Sequence, residues 1–264
     1  MKKLLYKEIL IYEIMNDMND MNDMNDANDT NNIKGVSILM PLYNGIEFLE
    51  ESVNSVINQT YKNWEIIIGV NGYPEKSEVE LKASDIVNNL NTNNIFSIRV
   101  IYYKTRGKSQ TLNMMVKDVI YDYIAILDVD DKWMPDKLEL QIPFLKDFDV
   151  VGTNCQYFGE REDFPLIPFN DLSEYNIFIG NPIINSSVII NLKDAYWDEN
   201  TDGVEDYDLW FRLYYYKRSF YNLSNILCLH RIHKASAFNN TNYKDDNDLR
   251  KKWFNIIYLK NQIL

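Results

Sequence analysis

The sequence predicts an α/β protein built on a mostly parallel sheet with helices on both faces. Two observations carry this expectation. From Ile33 onward, short apolar runs alternate with stretches of helical periodicity, as successive βαβ units require. The runs are also continuously apolar, as expected of strands covered on both faces.

The elements follow in order. Val36-Ser-Ile-Leu-Met reads as a buried strand closed by Pro41, and a helix over 46–58 places Phe48, Leu49, Val53, Val56 and Ile57 on one side. The second strand is Trp64 to Val70 and the second helix 76–90. A third strand from Ile98 to Tyr103 precedes a helix over 108–119, and a fourth runs from Tyr123 to Leu127. Pro135 then opens another helix, since proline is tolerated in a first turn. Ligands of such sheets bind beyond the carboxyl ends of the strands. The loops starting at Pro41, Asn71, Thr105 and Asp128 are therefore expected around one crevice.

The two ends read differently. Leu4, Leu5, Ile9, Ile11 and Ile14 suggest a short N-terminal helix, followed over 15–32 by a degraded Met-Asn-Asp repeat. Asn and Asp cannot bury a face, so 1–32 is expected to be a helix and a disordered linker. A C-terminal helix is expected over 241–264, near Trp253.

A net charge of -12 argues against nucleic acid as a partner, because so acidic a surface repels phosphate backbones and no basic stripe offsets it. Cys155 and Cys228 sit in apolar settings and read as buried free thiols of a reducing compartment. Neither pairs with His230 and His233 in a zinc spacing. No run of 18 apolar residues occurs, and Glu8 and Glu13 interrupt what would be a signal's apolar region. The expectation is a soluble, cytoplasmic protein.

Four segments carry polar residues in patterns that chemistry uses. In Leu127-Asp-Val-Asp-Asp-Lys-Trp-Met-Pro an apolar strand runs straight into Asp128, Asp130 and Asp131. Clustered carboxylates repel, a cost that makes sense around a divalent cation, although an acidic turn capping the next helix has the same composition. Asp202-Gly-Val-Glu-Asp-Tyr-Asp places acids in the first turn of a helix carrying Leu209, Trp210 and Phe211. Either the helix dipole or a general base accounts for them. Thr105-Arg-Gly-Lys-Ser offers a glycine, two cations and a helix N-terminus able to face an anion, without Walker spacing. It equally fits a simple turn into a helix. Lastly, in His230-Arg-Ile-His-Lys-Ala-Ser a lone histidine is more often a satisfied structural residue, but Arg231 and His233 alternate in an extended segment and so point the same way.

In this order, the segments resemble a family-2 inverting glycosyltransferase of the GT-A fold. The resemblance runs from Val36 to Ser236 through Val36-Ser-Ile-Leu-Met-Pro-Leu-Tyr-Asn, Ser55-Val-Ile-Asn-Gln-Thr-Tyr, Arg106-Gly-Lys-Ser-Gln-Thr-Leu-Asn, Leu127-Asp-Val-Asp-Asp, Glu205-Asp-Tyr-Asp-Leu-Trp and Arg231-Ile-His-Lys-Ala-Ser. It implies a single domain over 33–240, with a nucleotide-binding half at 33–131 and an acceptor half at 132–240. It also implies a nucleotide-sugar donor, a glycan or glycoconjugate acceptor, and Mn2+ or Mg2+. Asp130, Asp131 and His233 would hold the metal through the family's DxD motif. Pro41 and Tyr43 would line the nucleotide pocket, Arg106 or Lys108 would approach its base or phosphates, and Asp128 would hold the ribose or order the metal's shell. Asp206 matches the catalytic base.

One position departs from the family. Val70-Asn-Gly-Tyr stands where Asp-Asp-Gly-Ser is usual, so Asn71 replaces the acid that accepts from the uracil ring. An amide oxygen accepts less strongly, leaving UDP as the expected donor and TDP as the second. Asn71 also carries the rival expectation of a non-catalytic nucleotide-sugar or partner-binding protein. The Gln-x-x-Arg-Trp motif of processive relatives is absent, which implies transfer of one sugar. A nucleotidyltransferase is disfavoured, because Pro41-Leu-Tyr-Asn-Gly is neither glycine-rich nor basic.

Overall fold

The structure, a computed structural model, describes residues 33–234 and 246–263. The helix and linker expected over 1–32, and the start of the helix expected over 241–264, lie outside the described residues.

The alternation seen in the sequence becomes β1 (Val36–Leu42), α1 (Leu49–Ile57), β2 (Trp64–Asn71), α2 (Glu78–Leu90), β3 (Ser97–Tyr103), α3 (Lys108–Met115) and β4 (Tyr123–Ile126). β2 is buried at every position, which explains its unbroken apolar run. Ser77 caps α2 by accepting from the Glu80 amide at 3.3 Å. The chain continues through β5 (Lys132–Trp133), α4 (Lys137–Gln141), β6 (Val150–Gly159), β7 (Asn170–Asp171), β8 (Ile189–Asn191), α5 (Glu205–Tyr215), β9 (Phe220–Ile232) and α6 (Asp246–Ile263).

All described strands join one sheet in the order β3-β2-β1-β4-β8-β6-β9-β5, with β7 on β9. The ladders of β1 with β2 and β4, of β2 with β3 and of β6 with β9 are parallel. β8 runs antiparallel to both β4 and β6, so it hinges the two parallel blocks. Strand order reverses between β1 and β4, which makes the space beyond their carboxyl ends a topological switch point.

Two local expectations change. β1 continues through Pro41 and Leu42 instead of closing at Pro41. The ladder with β4 ends where the Leu127 amide donates to the Leu39 carbonyl. Pro41, two residues on, faces the same side past that end, where no donor is required of it. The helix expected to open at Pro135 begins at Lys137, and the Pro135 carbonyl instead accepts from the Thr60 amide at 2.8 Å.

Buried polar groups tie the layers together. The Glu65 carboxylate, 1% exposed, accepts from the Ser37 hydroxyl, the Ile120 amide and the Arg99 guanidinium, so it joins β1, β2, β3 and the loop leaving α3. Asp208, on the buried side of α5, accepts from the Trp253 indole at 2.7 Å and from Lys252 at 3.0 Å, fastening α6 to α5. Asp208→Ala would strand the buried indole N–H, at a cost of about 2 kcal/mol. The expected result is a fall of roughly 4–8 °C in the thermal midpoint, and an unchanged midpoint would show that α6 does not depend on this anchor.

Candidate active site

The four loops expected around one crevice do meet. The Gly72 amide donates to the Thr105 carbonyl at 2.8 Å, and the Tyr73 hydroxyl donates to the Tyr43 carbonyl. The Tyr43 and Tyr73 rings lie 5.6 Å apart, and Tyr43 remains 42% exposed. Gly72 has a φ of 75°, and the Tyr43 ring occupies the space a Cβ would need, so only glycine serves there. Pro41 lies beside Gly69 in the ladder of β1 and β2. Asn71 ends β2 almost fully buried, its amide nitrogen donating to the Gly69 carbonyl at 3.2 Å. Arg106 is exposed.

Lys108, the first residue of α3, enters the crevice rather than its rim. Its ammonium lies 2.7 Å from Asp128 and 3.3 Å from Glu205. Asp128 also accepts from the Asn185 amide at 3.2 Å, and its backbone N–H donates to the Ser186 hydroxyl. Burial alone would raise its carboxyl, but the Lys108 ammonium and the Asn185 amide outweigh burial and hold it below the usual carboxylate range. The N-terminus of α3 reads equally as an anion-facing end or as a simple turn into a helix. It faces a carboxylate of the chain: the Ser109 amide donates to Asp202 at 2.8 Å. Gly107, with φ 123°, lets that carboxylate in, because a Cβ would collide with it.

Asp130 and Asp131 diverge. Asp131 is 1% exposed and turns inward, accepting from the Arg231 amide at 2.8 Å with one oxygen and meeting His230 Nδ1 at 3.0 Å with the other. Burial pushes the His230 imidazole down, but the Asp131 carboxylate prevails and holds it up at about 9. His230 is thus held by a buried carboxylate. Each oxygen of Asp131 thus has a partner from β9, which ties the loop to that strand. Asp130 meets His233 Nε2 at 3.0 Å. Burial first, and then the neighbouring Asp131 and Asp128 carboxylates, raise its carboxyl above the ordinary range. Arg231 braces the loop: its Nε donates to the Asp130 carbonyl at 2.8 Å while its guanidinium lies between the Phe48 and Phe158 rings and pairs with Glu51.

Among the described residues, no three His, Cys, Asp or Glu side chains converge as a complete metal cage. The donor set does fit a hard cation that takes one or two protein ligands and fills its shell from a diphosphate. Asp130 is a crowded, partly exposed carboxylate beside an imidazole, the arrangement a positive charge would relieve.

Asp206 lies in the first turn of α5, where its Oδ2 accepts from the Asn181 amide at 2.8 Å and its Oδ1 from the Tyr207 N–H. Burial first, then the adjacent Glu205 carboxylate, push it up to about 6, against the pull of Lys108 and the Asn181 amide. A carboxylate poised there can take a proton near neutral pH. Asn181, Asn185 and Glu205 had no assigned role in the sequence reading. The two asparagines lie in an irregular segment without periodicity, and only the polar Asn185-Ser-Ser preceding an apolar strand hinted at them.

The family model for glycosyl transferase family 2 matches residues 37–231, which span the side chains of this crevice except His233. The chain belongs to that family. An uncharacterized glycosyltransferase of Rickettsia prowazekii is 28% identical over 226 residues, covering 77% of this chain and 66% of the relative, so the chain spans just under two thirds of that protein. The Escherichia coli UDP-Glc:alpha-D-GlcNAc-diphosphoundecaprenol beta-1,3-glucosyltransferase WfaP is 29% identical over 212 residues, 76% of this chain and 79% of its own. Among solved structures, TarS of S. aureus in complex with UDP-GlcNAc superposes with a TM-score of 0.66 at 17% identity, covering 85% of this chain and 66% of that one. The fold is therefore that of the GT-A glycosyltransferases, and the family is glycosyl transferase family 2. Among the described residues, no helix is long and apolar enough to cross a membrane.

Proposed function

We propose that the protein moves one sugar from a UDP-sugar to a hydroxyl of a glycan or glycoconjugate, with inversion and with Mn2+ or Mg2+, in glycan biosynthesis. The observation that carries this reading is the placement of Asp206. A buried carboxylate with raised proton affinity starts α5 and is linked through Glu205 and Lys108 to Asp128 at the end of β4. Residues 33–131 form the donor half and 132–240 the acceptor half. The two buried free thiols, Cys155 and Cys228, support a reducing, cytoplasmic setting.

On the donor side, Pro41, Tyr43 and Asn71 line the base and Asp128 takes the ribose hydroxyls, with Arg106 at the entrance. Because the Asn71 nitrogen is committed to Gly69, its oxygen is the atom left to accept from a ring N–H. Uracil and thymine present the same N–H, so UDP is the first donor and TDP the second. WfaP, by its description, uses UDP-Glc, and TarS binds UDP-GlcNAc, which favours the uridine donor. Asp130 and His233 would hold the cation, with Asp131 and His230 fixing the loop beneath. When bound, that cation supplies positive charge to the departing diphosphate. Asp206 takes the proton of the acceptor hydroxyl as its oxygen attacks the anomeric carbon, while Asn181 keeps the carboxylate aimed. A single displacement leaves the configuration inverted.

Thermal stability against UDP, TDP, GDP and CDP, each with and without Mn2+, tests the donor reading. At about 100 times its dissociation constant a ligand adds roughly 2.7 kcal/mol, or about 5–10 °C for a domain of this size. A metal-dependent shift with UDP is expected, a smaller one with TDP, and none with the others. A folded sample that responds to no nucleotide would favour the non-catalytic reading.

A further inference from the structure

As the alternative to Arg106, the family resemblance offers Lys108 to the nucleotide. Its observed surroundings suggest a different task. Its ammonium is shared between a carboxylate that ends the fourth strand and one that starts the acceptor helix, at 2.7 Å from Asp128 and 3.3 Å from Glu205. Both carboxylates are largely or fully removed from solvent, with side-chain exposures of 23% and 8%. Glu205 uses its other oxygen to accept from the Gly203 amide, so it is held in place. α3 is pinned to the same acceptor segment one residue later, where the Ser109 amide donates to Asp202. The Lys108–Glu205 and Ser109–Asp202 contacts both cross from the nucleotide half to the acceptor half.

We propose that Lys108 is a positioning residue that holds donor-side Asp128 and acceptor-side Glu205 on one cation, and thereby governs the charge state of the neighbouring base Asp206. This rests on the assignment of Asp206 as the base given above. The groups facing Asp206 are Glu205 and the Tyr207 N–H from its own helix, Lys108 from α3 and the Asn181 amide from the segment before β8. Glu205 favours a protonated Asp206, and Lys108 opposes this both directly and by neutralising Glu205. The base is therefore kept ionised by a lysine that also grips the donor side, so that disturbing one half of the site is felt in the other.

The test is the pH dependence of kcat/KM for sugar transfer, alongside calorimetric binding of UDP with Mn2+. It compares the wild-type chain with Lys108→Met, Lys108→Arg, Glu205→Gln and the Lys108→Met/Glu205→Gln double variant. Lys108→Met is expected to move the acid limb up by about one pH unit or more, with Lys108→Arg returning it toward the wild type. Glu205→Gln, which keeps the acceptor for Gly203, is expected to move the limb down, and the double variant to fall between the single ones. Should Lys108→Met prove unstable, Glu205→Gln alone retains the test. A limb that stays in place in the folded variants, with UDP binding weakened more than tenfold by Lys108→Met, overturns the proposal in favour of a simple phosphate contact. That result would leave the assigned reaction intact. A wild-type chain that binds UDP with Mn2+ but turns over no sugar at any pH overturns the reaction itself, and the coupling with it.

Discussion

Asp206→Asn is expected to lower kcat for sugar transfer by about 10²- to 10⁴-fold, the usual worth of a positioned general base. The substitution preserves shape. The asparagine oxygen can keep the hydrogen bond from the Tyr207 N–H, and its new NH2 can be met by Asn181 turning its own amide oxygen toward it, so the start of α5 should hold. What is lost is the ability to accept the hydroxyl proton. UDP affinity should be unchanged, because Asp206 belongs to the acceptor helix and its hydrogen bonds run to Asn181 and Tyr207. A pH signature separates this from a folding defect. With Asp206 held up at about 6, the wild-type kcat/KM should fall as pH drops through that region and the base takes up a proton. The variant's residual rate should lack that limb. Undiminished turnover, or an acid limb that survives in Asp206→Asn, would remove this residue from the mechanism.

The half of the molecule from Val36 to Leu127 was legible because β1, β2 and β4 are buried on both faces, leaving apolar runs that helical stretches separate cleanly. The half from Val150 to Ile232 was not. β6 alternates between buried and half-buried positions only in its second part and carries register irregularities around Asn154, while β7 and β8 are only two and three residues long. Strands so short leave no period to detect, and their pairing is decided by distant partners. The same contrast holds at the site. Asp128, Asp130 and Asp206 stood out because carboxylates directly after an apolar strand or beside a packed helix demand a reason. Their division of labour did not, because it depends on contacts with no trace in local sequence. Asp131 turns inward only because His230 and the Arg231 amide, from β9, wait beneath it. Lys108 meets Asp128 and Glu205 together because the two carboxylates converge on it from segments far apart in the chain.

Asp130→Ala is expected to abolish the Mn2+-dependent part of UDP binding while leaving the fold intact. Asp130 is the carboxylate of the loop that is neither ion-paired to a lysine, as Asp128 is, nor buried under two donors, as Asp131 is. Its carboxyl is held above the usual range by burial and by the two neighbouring acids. A raised folded value means that the ionised form is disfavoured in the native state, so at neutral pH this group costs stability instead of adding it. A group retained at such a cost is explained by a cation that arrives with the substrate. The apo variant should therefore melt no lower than the wild type, and the metal-free nucleotide response should be similar in both. The additional stabilisation of about 5–10 °C given by saturating UDP with Mn2+ should be missing from the variant. Loss of the response with an unchanged apo midpoint assigns the metal to Asp130. An undiminished metal response would move the cation elsewhere and leave the Asp130–His233 pair as a structural contact.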